Sequence, residues 1–374
     1  MLKSSTEHTG VVSAEFPRDL LLLLRCSRDA GPLVITAELQ SGAVGIIEAR
    51  LRCGTCAAEY RIKDGIARLM EGTLTAESEH ELASRDAGYA CTPPGPFVPP
   101  AVGWRSELSD LLEIPDHLAA LEPLDNCRVL ELGCGDGRFT MLMAQMGARI
   151  LAIDFSINGL RKLAWRLPSG IAPTAYRPGH RYSVADLRGN IGLVQADASH
   201  FRVAHRSFDR ALSATPLASR DQRMSMYRSI ADALTDEGRY IGGVEHDDLT
   251  RRLLGLPIAR RYSQGGIFLE HFDIATMRRE AAPYFSKLRI RPIRPRVPFA
   301  PRLPLAWAVG VSRTIGAMPV LRRLGEILLL RAECPVRPPV EGVHRPGRTL
   351  AKAFFFWYRR KMGLEPVWEG HERV

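Results

Sequence analysis

Between Val129 and Thr140 the chain reads Val-Leu-Glu-Leu-Gly-Cys-Gly-Asp-Gly-Arg-Phe-Thr. A short β-prone run ends in glycines at alternate positions, Gly133, Gly135 and Gly137, with Cys134 between the first two, and a helix-compatible segment follows from Arg138 to Met146. Strand, glycine turn and helix is the arrangement in which backbone approaches a nucleotide-like ligand without interference from Cβ atoms. Glu131 sits inside the strand, where a carboxylate costs free energy unless it has a partner. Roughly twenty residues further on, the apolar run Ile150-Leu-Ala-Ile153 closes on Asp154 and Phe155. That spacing puts a carboxylate at the carboxyl edge of the neighbouring strand, where the ribose hydroxyls of a ligand would lie, and gives Phe155 an adenine face to pack on.

The dinucleotide fingerprint requires a glycine at position 138, where this chain has Arg138. Gly-x-Gly-x-Gly behind an acidic strand instead resembles motif I of the class I S-adenosylmethionine (SAM) dependent methyltransferases. Later strand ends keep the order of that family. Ile191–Ala196 closes on Asp197-Ala198, and the strand from Phe208 leaves through Ser213-Ala-Thr-Pro216, which resembles motif IV. The resemblance covers roughly residues 104–250. It implies S-adenosyl-L-methionine as cofactor, held by Glu131, Gly133, Cys134, Gly135, Gly137, Asp154, Phe155, Asp197, Ala198 and Ser213. By that resemblance Glu131 lies near the methionine end and the glycines admit the methionine part and the ribose. Asp197 receives the adenine amino group, the next backbone amide reads a ring nitrogen, and Ser213 lines the methyl-transfer site. Arg85-Asp-Ala-Gly-Tyr89 resembles the N-terminal lid of related enzymes, whose tyrosine can close over the cofactor; a tyrosine on a surface linker is the alternative.

Ahead of this domain, Cys53-x-x-Cys56 has zinc-knuckle spacing, since two thiolates three apart on a tight turn can share a tetrahedral metal. A full ribbon needs a second pair, and here Cys26 is followed by Asp29 where its partner cysteine belongs. The stretch resembles the small zinc-ribbon module at the N-terminus of many bacterial methyltransferases, down to the ending Tyr-Arg-Ile-Lys-Asp-Gly-Ile66. Two readings stand: a Cys3Asp zinc site formed by Cys26, Asp29, Cys53 and Cys56, or a ribbon that has lost its metal and survives on packing. The leucines from Leu20 to Leu24 are read as a strand.

Composition is that of a globular protein, with 45% hydrophobic and 25% charged residues in 374. No uncharged apolar run approaches the ~18 residues of a membrane span, and no signal-peptide cleavage site follows the leucine run. The seven cysteines, an odd number without an extracellular disulfide rhythm, fit a reducing compartment. The expected location is therefore cytoplasmic, with peripheral contact at the inner membrane face as an extension. Charge is unevenly spread. From Arg251 onward there are 24 Lys and Arg against 9 Asp and Glu, which suits phosphates, anionic headgroups or RNA as well as a merely soluble surface.

The expected fold is α/β: a Rossmann-like seven-stranded methyltransferase sheet with a small N-terminal β-rich, zinc-ribbon-like module. Its expected parts are a flexible terminus (1–19), the module (20–72), a lid and linker (73–103), the methyltransferase domain (104–336) with an insertion at 299–324, and a basic aromatic tail (337–374). Trp104–Leu121 reads as a helix interrupted near Pro115, Ser156 as the N-cap of the next one, and Leu288–Pro298 and Gly325–Ala332 as the last two strands. Methyl transfer from a sulfonium needs mainly an in-line acceptor, and a base only for weak nucleophiles. His246 and Tyr262, beyond a strand's carboxyl end, are the catalytic candidates, with Glu245 and His271 beside them. The acceptor expected is a small or lipid-like molecule, methylated on oxygen or carbon because no Asn/Asp-Pro-Pro-Tyr motif is present. Segments 299–324 and 351–362 are expected to touch a membrane surface. An RNA methyltransferase is the first alternative and a non-catalytic SAM-fold binding module the second.

Overall fold

The computed structural model describes residues 14–70, 74, 76–91, 94, 104–168, 186–214, 219–253, 260–262, 268–295, 297 and 302–336. Of the expected flexible terminus (1–19), residues 1–13 lie outside them, as does the aromatic tail with its segment 351–362, whereas 14–17 are buried and Phe16 pairs with Ile46.

The N-terminal part contains a helical turn α1 (Arg18–Leu21) and strands β1 (Leu33–Ser41), β2 (Ile46–Cys53), β3 (Glu59–Lys63) and β4 (Ile66–Arg68). Two helices follow, α2 (Ala76–Ala90) and α3 (Trp104–Leu121). The alternating core is β5 (Arg128–Leu132), α4 (Thr140–Gln145), β6 (Arg149–Asp154), α5 (Ile157–Arg166), β7 (Ile191–Gln195), β8 (Phe208–Ser213), α6 (Arg220–Ala233) and β9 (Leu234–Glu245). Beyond it lie α7 (Leu249–Leu253), the small hairpin β10 (Arg260–Tyr262) and β11 (Phe268–Glu270), α8 (Ile274–Ala281), β12 (Phe285–Pro295), α9 (Leu305–Ala317) and β13 (Gly325–Pro335).

Seven strands pair in the order β7-β6-β5-β8-β9-β13-β12, parallel except for β13, which runs antiparallel to both neighbours. The order reverses between β5 and β8, and open α/β sheets carry their ligand crevice at such a point. Strand residues alternate between two cores. Leu130, Leu151 and Ile153 face one apolar cluster, while Val129, Ile150 and Ala152 face the other. Helices α3, α4 and α5 cover the second face, and α6 and α8 the first. Because both faces are buried, these strands read as nearly continuous apolar runs.

The module is not a separate sheet. β4 pairs in parallel with β7, so β1 to β4 extend the seven strands into one sheet of eleven. The leucine run corrects the expected strand: Leu20, Leu21, Leu23 and Leu24 are buried and Leu22 is exposed, a helical rather than alternating pattern, and Arg18–Leu21 forms a turn of helix. α3 continues through Pro115. Ser156 caps α5 by accepting from Gly159 N at 3.1 Å.

Candidate functional site

The carboxyl ends of β5, β6, β7 and β8 open on one cavity, with about 1100 Å³ of atom-free space that is partly open to solvent. Its floor is the glycine loop after β5. Gly133 and Gly135 have φ of 74° and 54°, a left-handed backbone that glycine adopts without strain. Gly133 N donates to Ile153 O at 2.8 Å, which carries the β5–β6 pairing into the loop. Gly137 (φ 94°) works differently. A Cβ there would strike Leu163 of α5, so this glycine lets the helix approach and does not line the cavity.

The other nine residues expected to hold a cofactor all stand on the cavity wall. Asp154, 7% exposed, accepts from Gly135 N at 2.7 Å on one oxygen and from Ser156 N at 2.8 Å on the other. Burial raises its carboxyl pKa and these two backbone donors oppose the rise. Glu131 accepts from Thr140 Oγ1 at 2.7 Å. Full burial pushes its carboxyl up to about 8, against the Thr140 hydrogen bond and with Asp154 adding to the rise. The acid inside the strand is thus held toward its neutral form. Asp197 is fixed by Ser199, whose N and Oγ both donate at 2.7 Å, and by His200 Nδ1 at 3.2 Å.

Helix α2 forms the roof. Ser78, Glu81, Arg85 and Tyr89, one turn apart along α2, all reach the cavity. Tyr89 places its ring where a Cβ on Gly135 would be, close to Gly159. The roof is tied at both ends: Gln222 Nε2 of α6 donates to Ser78 Oγ at 2.9 Å, and Asp86 accepts from Ser156 Oγ and from Asn158 N at 3.2 Å. Of these residues, sequence reasoning reached only the Arg85–Tyr89 stretch. Ser78, Glu81 and Gln222 carry no motif; the one signal for Gln222 is its place three after Ser219 in a capping box, which the structure confirms.

At the β8 end the wall is Ser213, Ala214, Arg138 and Phe139. Arg138 bridges Asp110 (2.5 Å) and Glu113 (3.2 Å) of α3. Behind it stands His117, wholly buried, with its ring centroid 5.2 Å from that of Phe139. Its Nδ1 lies 3.0 Å from the Glu113 carbonyl oxygen, which can only accept, so the proton sits on Nδ1 and Nε2 keeps its lone pair. Nε2 has no hydrogen-bond partner and faces Gly243, within a space that Ala214 also borders. Burial lowers the imidazole pKa and keeps it neutral.

Of the two catalytic candidates from the sequence, His246 is absent from the described wall. His246 turns its Nδ1 onto Gly325 O at 2.6 Å, between β9 and β13, and is buried there. Tyr262 pairs with Phe268 in the β10–β11 hairpin, and its side chain lies outside the described residues. His271 and Glu245 are likewise absent from the described wall.

Away from the cavity, Cys26, Asp29, Cys53 and Cys56 bring four ligand atoms within 4.8 Å of one another. Cys26 Sγ is 3.5 Å from Cys56 Sγ, and Cys53 Sγ donates to Asp29 Oδ1 at 3.3 Å. Hydrogen bonding from Gly31 N, with the three thiols adding to it, holds the Asp29 carboxyl down at about 2 and therefore ionised. Three thiols and one carboxylate fit a tetrahedral zinc.

The methyltransferase domain family matches residues 129–238. Phosphoethanolamine N-methyltransferase 3 of Arabidopsis thaliana is 42% identical over 59 residues, which are 15% of this chain and only 12% of that protein. Among solved structures, an S-adenosylmethionine dependent methyltransferase from Mesorhizobium loti is 19% identical, covering 58% of this chain and 95% of that one, with a TM-score of 0.38. Phosphoethanolamine N-methyltransferase 1 of Haemonchus contortus is 14% identical, covering 78% and 58%, with a TM-score of 0.44. The matched segment runs from the glycine strand β5 into β9, so residues 129–238 carry a methyltransferase domain on the Rossmann-like sheet expected from the sequence.

Proposed function

We propose that the chain transfers the methyl group of SAM to a small-molecule acceptor that enters beside Ser213, Ala214 and Phe139. The observation that carries this reading is the convergence of four strand ends and the tied roof α2 on one cavity. A roof pinned at both ends favours a small acceptor over a folded RNA. Asp154 would hold the ribose, Asp197 the adenine amino group, Glu131 the region of the methionine amino group, and Tyr89 would cover the loop. SAM supplies an electrophilic methyl on a sulfonium, and the chain's task is to set the acceptor in line with it. As the new bond to the methyl carbon forms, the carbon–sulfur bond breaks with its electron pair left on sulfur, and the acceptor's proton must leave. His117 Nε2 is buried behind Phe139 and does not line the cavity, so that proton would pass to solvent or to a group on the wall.

The exposed apolar residues of α9 and the turn after it, Trp307 (70%), Val320 (68%) and Leu321 (39%), lie among exposed Arg313, Arg322 and Arg323. They support a lipid-like acceptor met at an anionic surface. Ser213-Ala-Thr-Pro216 favours oxygen or carbon as the methylated atom, whereas the names of the Arabidopsis relatives favour nitrogen. The experiment is incubation of the protein and methyl-labelled SAM with a cell extract, separated afterwards into aqueous, lipid and RNA fractions. Label in the aqueous or lipid fraction is the expected result, and identification of the product fixes the atom. Label confined to RNA overturns the small-acceptor reading.

For the N-terminal module we propose a structural zinc held by Cys26, Asp29, Cys53 and Cys56, an expectation that metal analysis reads directly. About one zinc per chain is predicted, with loss of it in Cys53→Ala; a metal-free, equally stable wild type would show the ribbon to survive on packing.

A further inference from the structure

The seam between the module and the methyltransferase domain holds a row of arginines that the cofactor reading does not use. Arg50 of β2 lies opposite Arg61 of β3, Arg61 lies opposite Arg68 of β4, and Arg68 lies opposite Gln195 of β7. Three like charges therefore sit in register on adjacent strands, about 4.8 Å apart. Like charges directly opposite in a sheet destabilise it. Lys63, two residues beyond Arg61 on the same face, and Arg161 of α5 complete a hollow whose walls also include Ile157 and Met70. Five cationic side chains line it against the carboxylate of Glu59. Asp64, 3.9 Å from Arg68, is the one acid paired with any of the five among the described residues.

Arg68 shows the strain of this arrangement. Half-burial, with Arg161 and Arg61 beside it, lowers its guanidinium pKa to about 10. Its Nη1 donates to Gln195 Oε1 at 3.2 Å, and Gln195 Nε2 in turn donates to Phe155 O at 3.2 Å, so the floor of the hollow is fixed against the outer side of the cofactor cavity. A surface arginine kept only for solubility need not be in register with two others or in a concavity. Clustering of cations that costs stability in the unliganded protein is what a pre-organised anion site requires, since the donors must stand ready before the anion arrives.

We infer that this seam is a phosphate-binding site, in which Arg50, Arg61, Arg68, Lys63 and Arg161 receive phosphate oxygens. The phosphate comes either from a phosphorylated small molecule or from the backbone of an RNA strand; both offer the same anionic oxygens. The inference stands independently of what the domain methylates.

The full chain is titrated with pyrophosphate and, separately, with a fluorescent twelve-nucleotide oligouridylate, alongside Arg61→Gln and the Arg61→Gln/Arg161→Gln pair. Both substitutions are at exposed positions. The expected result is that the pair weakens binding of at least one probe by about tenfold or more. If the oligonucleotide is the probe affected, the slope of log affinity against log salt should fall by about 0.7 for each arginine removed. Dependence seen with pyrophosphate alone assigns the site to a phosphorylated small molecule, and dependence seen with the oligonucleotide assigns it to RNA. Without ligand, Arg61→Gln should melt at or above the wild-type temperature, because a like-charge opposition has been relieved. Wild-type binding of both probes by the pair, or a fall in melting temperature in Arg61→Gln without loss of binding, overturns the inference and makes the row structural.

Discussion

Replacing Asp154 by alanine is expected to raise the Kd for SAM by about 100-fold or more, read by isothermal titration. Asp154 ends β6 with one oxygen on Gly135 N and the other on Ser156 N. Each carboxylate oxygen has a second lone-pair site, and a bound ribose would offer two hydroxyls to them. Hydrogen bonds to a charged acceptor contribute about 1.5–3 kcal/mol each, and two of them amount to the stated change in affinity. The alanine variant also leaves the loop amides of Gly135 and Ser156 without their acceptor, which loosens the floor itself. Asp154→Asn separates the two effects, since its amide oxygen can still accept from one loop amide. A weaker but folded Asn variant supports direct ribose binding. Full SAM affinity in both variants would sink the assignment.

The second large effect is on stability. Arg223 of α6 is buried and forms a bidentate pair with Glu280 of α8, Nε to Oε2 and Nη2 to Oε1 at 2.9 Å each, while Nη1 reaches Glu270 at 2.9 Å. Its guanidinium lies 4.7 Å from the Phe272 ring centroid. One side chain thus joins α6, which bears the roof anchor Gln222, to the β11–α8 segment. Arg223→Met should lower the unfolding free energy by about 3–5 kcal/mol, because it strands two buried carboxylates. Denaturant melts would measure this. The triple variant Arg223→Met/Glu270→Gln/Glu280→Gln should recover much of the loss, since the penalty comes from unpaired charge more than from missing attraction. A single variant as stable as wild type would contradict the pairing.

Much of the site could be read in the sequence because its parts are local. Gly133, Gly135 and Asp154 announce themselves through a glycine turn after a β-prone run and an acid closing the next one, and each strand positions its own end residue. The seven-stranded sheet was expected from the resemblance of these strand ends to one family, without its pairing order. The sequence could not show pairing between β4, only three residues long, and β7 more than a hundred residues later, so the eleven-stranded continuity was invisible. The leucines at 20–24 misled because a short apolar run suits a strand or a buried helical turn equally, and exposure of Leu22 alone decides between them. His117 carries no motif. Its ring fits only because α3 packs on β9 where Gly243 leaves room for a ring nitrogen, a fact of tertiary packing. His246 drew attention by following a strand's end, but that end is tied to β13 and the imidazole is turned onto Gly325. Gly137 fits the motif yet serves the helix behind it, since spacing cannot say which side of a loop a glycine must keep clear.

The central claim is that four strand ends and the roof α2 enclose a SAM site, and titration of SAM into the wild-type chain by isothermal calorimetry tests it most directly. One binding event per chain, with a Kd at or below about 100 μM and lost in Asp154→Ala, is the result predicted. No heat of binding with SAM at high micromolar concentration, from protein shown to be folded, would contradict it.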